Sequence, residues 1–183
     1  MNFDTKYLIR WGIPGWIMVM ALLPYYIIIY FDFFSDHVVN SSDLLAIGAV
    51  LTVLGVPLGY LLNQIHHSVF WVLPKLIFGS WSKYFNEELK VDDYIANHKN
   101  GAEKKERYRY LLTRKHELGG FMVSLFISAF VIGLSNVIGR HHHHWTWWYF
   151  AIVTFLFLII LLSRQYSSRN IEVYHDHYLK GKD

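Results

Sequence analysis

Three groups of residues have types and spacings that could do chemistry. The first is Asn63-Gln64-Ile65-His66-His67, where four of five side chains can hydrogen-bond at the end of an otherwise apolar run. Polar side chains at membrane depth are costly and mark function by default. Asn63 and His67 stand four residues apart and share a helix face. Asn63, Gln64, His66 and His67 therefore read as a polar constriction or gate at the inner mouth of a pore. Interhelical hydrogen bonding is the plainer use of the same side chains.

The second group is the run His141–His144, with His175-Asp176-His177 near the C-terminus. Neutral imidazole is the commonest metal ligand. A dedicated site needs fixed spacing and supporting hydrogen bonds, which four consecutive residues in a tight turn do not offer. No metal and no cofactor are expected. The HxxxH and HxxHH boxes of integral-membrane di-iron enzymes are missing from the sequence, and so are a nucleotide-binding loop, a GxSxG elbow and an HExxH pair. There are no cysteines. The expectation is that this is not an enzyme.

The third group is basic: Lys104, Lys105, Arg107, Tyr108, Arg109, Arg114 and Lys115. On one helix Lys104, Arg107, Leu111 and Arg114 form a row, with Lys105 and Arg109 beside it. Cations interleaved with tyrosine suit an anionic ligand with stacking bases, a nucleotide or a short single strand. Juxtamembrane bases also set topology and hold anionic headgroups at about 1 kcal/mol each. Lys104–Arg109 precede Leu118 by eight residues or more, so helical rise carries them ~13 Å or more beyond the start of the next apolar run.

These groups are positioned by four stretches that lack Asp, Glu, Lys and Arg altogether: Trp11–Phe31, Leu44–Pro74, Leu118–Gly139 and Trp145–Ser163. All 17 basic and 14 acidic residues of the 183 lie outside them. Uncharged apolar runs of ~18 or more read as membrane spans. The fold class expected is an all-α integral membrane protein with four transmembrane helices. The run Leu44–Pro74 is longer than a span needs, and Ala102–Glu117 is helix-forming and leads straight into Leu118. Spans two and three are therefore expected to carry helical cytoplasmic extensions, with one helix from about Ala102 to Ile138 and a short amphipathic helix over Trp81–His98. The segments are 1–74 (spans one and two with an inner extension), 75–117 (a cytoplasmic helical cap), 118–163 (spans three and four) and 164–183 (a cytoplasmic tail).

Placing both termini and the second connection in the cytoplasm puts 16 of the 17 bases on one side, as the positive-inside rule requires. The localisation expected is thus multi-pass in the plasma (inner) membrane. No charge lies within a span, which weighs against a secondary transporter. Gly55 and Gly59 on span two, and Gly120, Ser124 and Ser128 on span three, are small residues at four-residue spacing that let helices approach closely. They make spans two and three the expected packing pair, within or between subunits. Four spans cannot enclose a pore alone, so a homo-oligomer is expected, with four copies as a guess.

Arg10-Trp11-Gly12, Gly59-Tyr60-Leu61-Leu62-Asn63-Gln64 and the stretch from Arg109 to Gly119 (RYLLTRKHELG) give the chain a layout that resembles the small four-span, channel-forming membrane effectors of bacterial anti-phage abortive-infection systems. The resemblance implies a protein that depolarises the membrane when triggered, and a nucleotide or oligonucleotide ligand made by a partner nucleotidyltransferase. It would assign that ligand to the basic helix. The alternative reading is a non-channel accessory or scaffold subunit whose second connection docks a soluble partner.

Overall fold

The computed structural model describes residues 5–37, 41–79, 81–97, 100–139 and 144–179, and among these there is no strand. The helices are α1 (Thr5–Ile29), α2 (Phe31–His37), α3 (Ser41–His67), α4 (Leu73–Phe78), α5 (Trp81–Asn97), α6 (Gly101–Ile138) and α7 (His144–Tyr174). Four segments are long and apolar enough to cross a membrane: Trp11–Ile29, Ser42–Phe78, Gly101–Ile138 and His144–His177. Each contains one of the uncharged sequence runs or nearly all of it.

The central element is α6, which touches α1, α3, α5 and α7. It starts where expected. Asn100 stands at its N-cap and accepts from the Lys104 N–H at 3.1 Å. It then runs 38 residues without a break. Its first half is charged and its second half apolar, so one rod joins the cap to the bundle.

α3 and α6 touch where Gly119 and Gly120 face His66 and Asn63, but their small-residue stripes also reach a further helix. They converge on α1. A Cβ at Gly15 would land on the Gly55 carbonyl, and one at Gly59 on the Trp11 carbonyl. Only glycine lets the α1 and α3 backbones meet there. Trp16 then caps the contact, its Nε1–H donating to the Thr52 carbonyl at 2.9 Å. On the other side of α1, Ser124 is fully buried and donates to the Pro14 carbonyl at 2.8 Å. Ser128 donates to the Ser124 carbonyl at 2.8 Å within α6. The reason is topological. Span one must sit against both neighbours, and small residues on each make room for it.

At the end of the bundle away from the charged half of α6, a polar network ties three helices. Tyr25, with no exposed surface, donates to Asn136 Oδ1 at 2.7 Å. Asn136 Nδ2 reaches the Thr146 carbonyl at 3.3 Å, and Tyr149 OH donates to the Ala21 carbonyl at 3.0 Å. Beneath it lies an apolar core of Ala21, Tyr25, Leu125, Ala129, Ile132 and Val153.

The charged end has its own core. Val91 and Ile95 of α5 pack with Tyr94, Tyr108 and Tyr174. Tyr174 belongs to α7, which continues well past Ser163 as helix, where the sequence suggested only a tail. It donates to the Lys104 carbonyl at 3.3 Å. The cap is therefore held by α5, α6 and the end of α7. The segment boundaries at 74/75, 117/118 and 163/164 all fall inside continuous helices.

Candidate functional site

The basic face of α6 divides. Leu111 is buried, and Lys104, Tyr108 and Lys115 are half-buried, forming a seam at spacings of four, three and four. Lys104 Nζ lies 5.3 Å from the Tyr94 ring, and Tyr108 belongs to the cap core. Lys105, Arg107, Arg109 and Arg114 are exposed. At about 100° per residue, Arg107 and Arg114 fall on one flank of the seam, and Lys105 and Arg109 on the nearly opposite flank. Arg107 lies 5.7 Å from the Tyr110 ring on its own flank. No single small anion could touch all seven of the expected residues.

The Asn63–His67 group also divides by face. Asn63 is half-buried, with its Oδ1 where a Cβ on Gly120 would sit. His66 is 1% exposed and fills the space left by Gly119, which has no side chain to exclude the imidazole. Its Nε2 has no hydrogen-bond partner. Gln64 and His67 are exposed on the outer side of α3. The structure thus pairs Asn63 with His66 against α6, and Gln64 with His67 away from it.

Immediately after His67 the helix widens into a π-helical turn, Ser68–Val72. The cause is Pro74, within the first turn of α4. A proline ring clashes with the carbonyl four residues back and supplies no N–H. A π turn gives that carbonyl room. This turn presents Phe70 and Trp71 to α6 and α7. The His66 and Phe70 rings are 5.3 Å apart, and His66 and His116 are 6.1 Å apart. His116 stacks on Trp71 at 5.5 Å and 27°.

Cations gather on these rings. Lys75 Nζ lies 4.7 Å and Lys115 Nζ 5.3 Å from the Trp71 ring. The Arg164 guanidinium lies 4.3 Å from the Phe70 ring. Of this rim the sequence reading had His66 and Lys115. It missed Lys75, Arg164, Phe70, Trp71 and His116. A signal was present: Lys75 and Arg164 are the residues that directly end two of the uncharged stretches, and Lys115 stands three before a third begins. Charges at the same end of neighbouring spans lie at the same depth.

Residues His141, His142 and His143 lie outside the described residues. His144 opens α7 and is exposed, and His175 Nδ1 is 3.6 Å from Asp176 Oδ1. Among the described residues no group of three potential ligands could hold a metal ion. No protein-family model, no curated protein and no solved structure matches the chain.

Proposed function

We propose that the protein is a homo-oligomeric membrane effector that forms or gates an ion-conducting pore, controlled at its cytoplasmic cap by an anionic ligand, a nucleotide or short oligonucleotide. The observation that carries this reading is the continuity of α6. The same unbroken helix bears the exposed bases Lys105, Arg107, Arg109 and Arg114 and, one turn beyond Lys115, the glycines and serines that set the packing of the bundle. A ligand that draws on one flank of the charged half tilts or turns a rigid rod, and the apolar half moves with it.

Two further features support the reading. Gln64 and His67 are polar and exposed on the outer side of α3. In a ring of copies they would meet about an axis. The base asymmetry favours the plasma membrane with both termini in the cytoplasm, so the cap would face nucleotides made inside the cell by a partner nucleotidyltransferase. A scaffold role has one observation of its own: α5 exposes Trp81, Phe85 and Leu89 at four-residue spacing, a stripe able to dock a soluble protein.

Planar-bilayer recording of the purified chain, with and without cyclic nucleotides and short single-stranded oligonucleotides, tests the proposal. Ligand-dependent conductance is expected. Charge reversal of one flank, Lys105→Glu with Arg109→Glu or Arg107→Glu with Arg114→Glu, should abolish the response while the chain remains assembled. A protein that never conducts refutes the pore, and a response that survives both reversals refutes the ligand assignment.

A further inference from the structure

The rim around Trp71 and Phe70 is not explained by the pore reading. Three helical segments deliver three permanent cations to two adjacent rings: Lys75 from α4, Lys115 from α6 and Arg164 from α7. Two ammonium groups share one indole. Cation–π contact offsets part of their mutual repulsion, about 0.5–1 kcal/mol for each exposed contact, but a ring neutralises nothing. Lys115 and Arg164 have no ion-pair partner among the described residues. The Glu172 carboxylate, on the same side of the cap, is largely exposed and paired with Arg169 at 3.6 Å. The Arg164 Nε is buried with no hydrogen-bond acceptor, and so is the neighbouring His66 Nε2 with no partner. Buried polar nitrogens are ordinarily satisfied. The Lys115 ammonium and the orphaned guanidinium donor of Arg164 lack the same thing: a compact anion with several acceptor oxygens.

We propose that Lys75, Lys115 and Arg164, gathered on Trp71 and Phe70 where the spans end, form a phosphate-binding site. The guanidinium supplies directional donors, and the two ammonium groups beside the indole supply charge. The π-helical turn before Pro74 is what aims both rings into the site. The phosphate is either the headgroup of an anionic lipid or a free phosphate group arriving from the aqueous side. The site is separate from the exposed flanks of α6 and stands whether or not the protein conducts.

The test uses the full chain. In one arm, protein purified from micelles holding equal phosphatidylglycerol and phosphatidylcholine is examined by native mass spectrometry for retained lipid. In the other, the chain in nanodiscs of phosphatidylcholine alone is titrated with inorganic phosphate and pyrophosphate, following tryptophan fluorescence against a Trp71→Phe control. Preferential retention of phosphatidylglycerol identifies a lipid headgroup; saturable binding in the second arm identifies a free phosphate. At about 1 kcal/mol per base and tenfold per 1.4 kcal/mol, Lys75→Gln, Lys115→Gln and Arg164→Gln together should weaken binding ~100-fold. Arg164→Lys keeps the charge and the fold but loses the fork of donors, and should weaken binding about fivefold. Lys90→Gln, at an exposed base of α5, should leave it unchanged. The proposal is overturned if the wild-type chain shows neither lipid preference nor phosphate binding. It is equally overturned if the folded triple variant, checked by helicity, or Arg164→Lys binds as the wild type does.

Discussion

Two glycines of α3 separate the packing account from helix propensity. Gly48 has open space where a Cβ would go, with no heavy atom within 4 Å. At Gly59 a Cβ would collide with the Trp11 carbonyl oxygen and lie 2.9 Å from the Gly15 nitrogen and 3.0 Å from the Trp11 carbonyl carbon. All three atoms are backbone, so no side-chain rotation relieves the clash and α1 must move off α3. That separation also strains the Trp16–Thr52 hydrogen bond and the edge-on contact of Trp11 with Tyr60 at 5.6 Å. Alanine gains roughly 0.5–1 kcal/mol over glycine in a helix interior, and this gain is common to both sites. Overpacking costs about 1–3 kcal/mol, with the upper part of that range expected where only backbone can yield. Gly48→Ala should therefore be as stable as the wild type or more so, by up to ~1 kcal/mol. Gly59→Ala should lose about 1–2 kcal/mol net. The difference between the two variants isolates the packing cost, because propensity cancels. The assay is reversible unfolding in mixed micelles, following helicity by circular dichroism against the fraction of dodecyl sulfate. If Gly59→Ala unfolds at the same denaturant fraction as Gly48→Ala, the α1–α3 crossing described above is wrong.

Two other perturbations probe the remaining joints. Tyr25→Phe removes the donor to Asn136 Oδ1 while keeping the ring; interhelical hydrogen bonds in membranes are worth about 0.6 kcal/mol on average and at most ~1.7, so the unfolding midpoint should fall by an amount in that range, and an unchanged midpoint would show that the Tyr25–Asn136–Thr146 network holds nothing together. Ile95→Ala empties the cap core at a residue 2% exposed, a change that typically costs 2–5 kcal/mol. Amide exchange should then speed through Trp81–Asn97 while the apolar half of α6 stays protected, and a uniform rise across both would mean that cap and bundle open as one unit.

What could be read from the sequence and what could not divide along one line, the range of the interaction. The spans were legible because the absence of charge over Leu118–Gly139 or Trp145–Ser163 is a property of consecutive residues. The join at Glu117–Leu118 was legible too, since helix-forming residues on both sides leave no place for a break, and α6 runs through it. The partner of a glycine stripe is not a local property. Gly55-Val-Pro-Leu-Gly59 announces a close approach but not to whom, and α1 announces little in return: of its residues at the crossing, only Gly12 and Gly15 are small. The extension of α7 past Ser163 was hidden for a related reason. Ser-Arg-Gln-Tyr-Ser-Ser-Arg-Asn is weakly helix-forming by itself, and it is helical here because Ser167 and Ile171 are buried and Tyr174 closes the cap core.

The same limit shaped the site. A row of bases on a helical wheel is visible from spacing, but which of its members face solvent is decided by what α5 and α7 lay against them. Packing takes Lys104 and Tyr108 into the cap and sends Lys115 to Trp71. Sequence neighbours therefore part company, and residues 40 to 89 positions apart come to border rings that are successive in sequence, Lys75 and Lys115 at Trp71 and Arg164 at Phe70. What unites those three is depth. Lys75 and Arg164 directly end uncharged runs and Lys115 stands three residues before one, and antiparallel helices whose apolar runs start and stop at one end of the bundle must bring their terminal charges level. Like charges held level beside these rings repel one another and, where half-buried as Lys75, Lys115 and Arg164 are, give up part of their hydration. A fold that keeps them there is stabilised when an anion arrives, by linkage that favours whichever state binds it. The positional arithmetic that marks the spans thus also marks where such an anion should be sought.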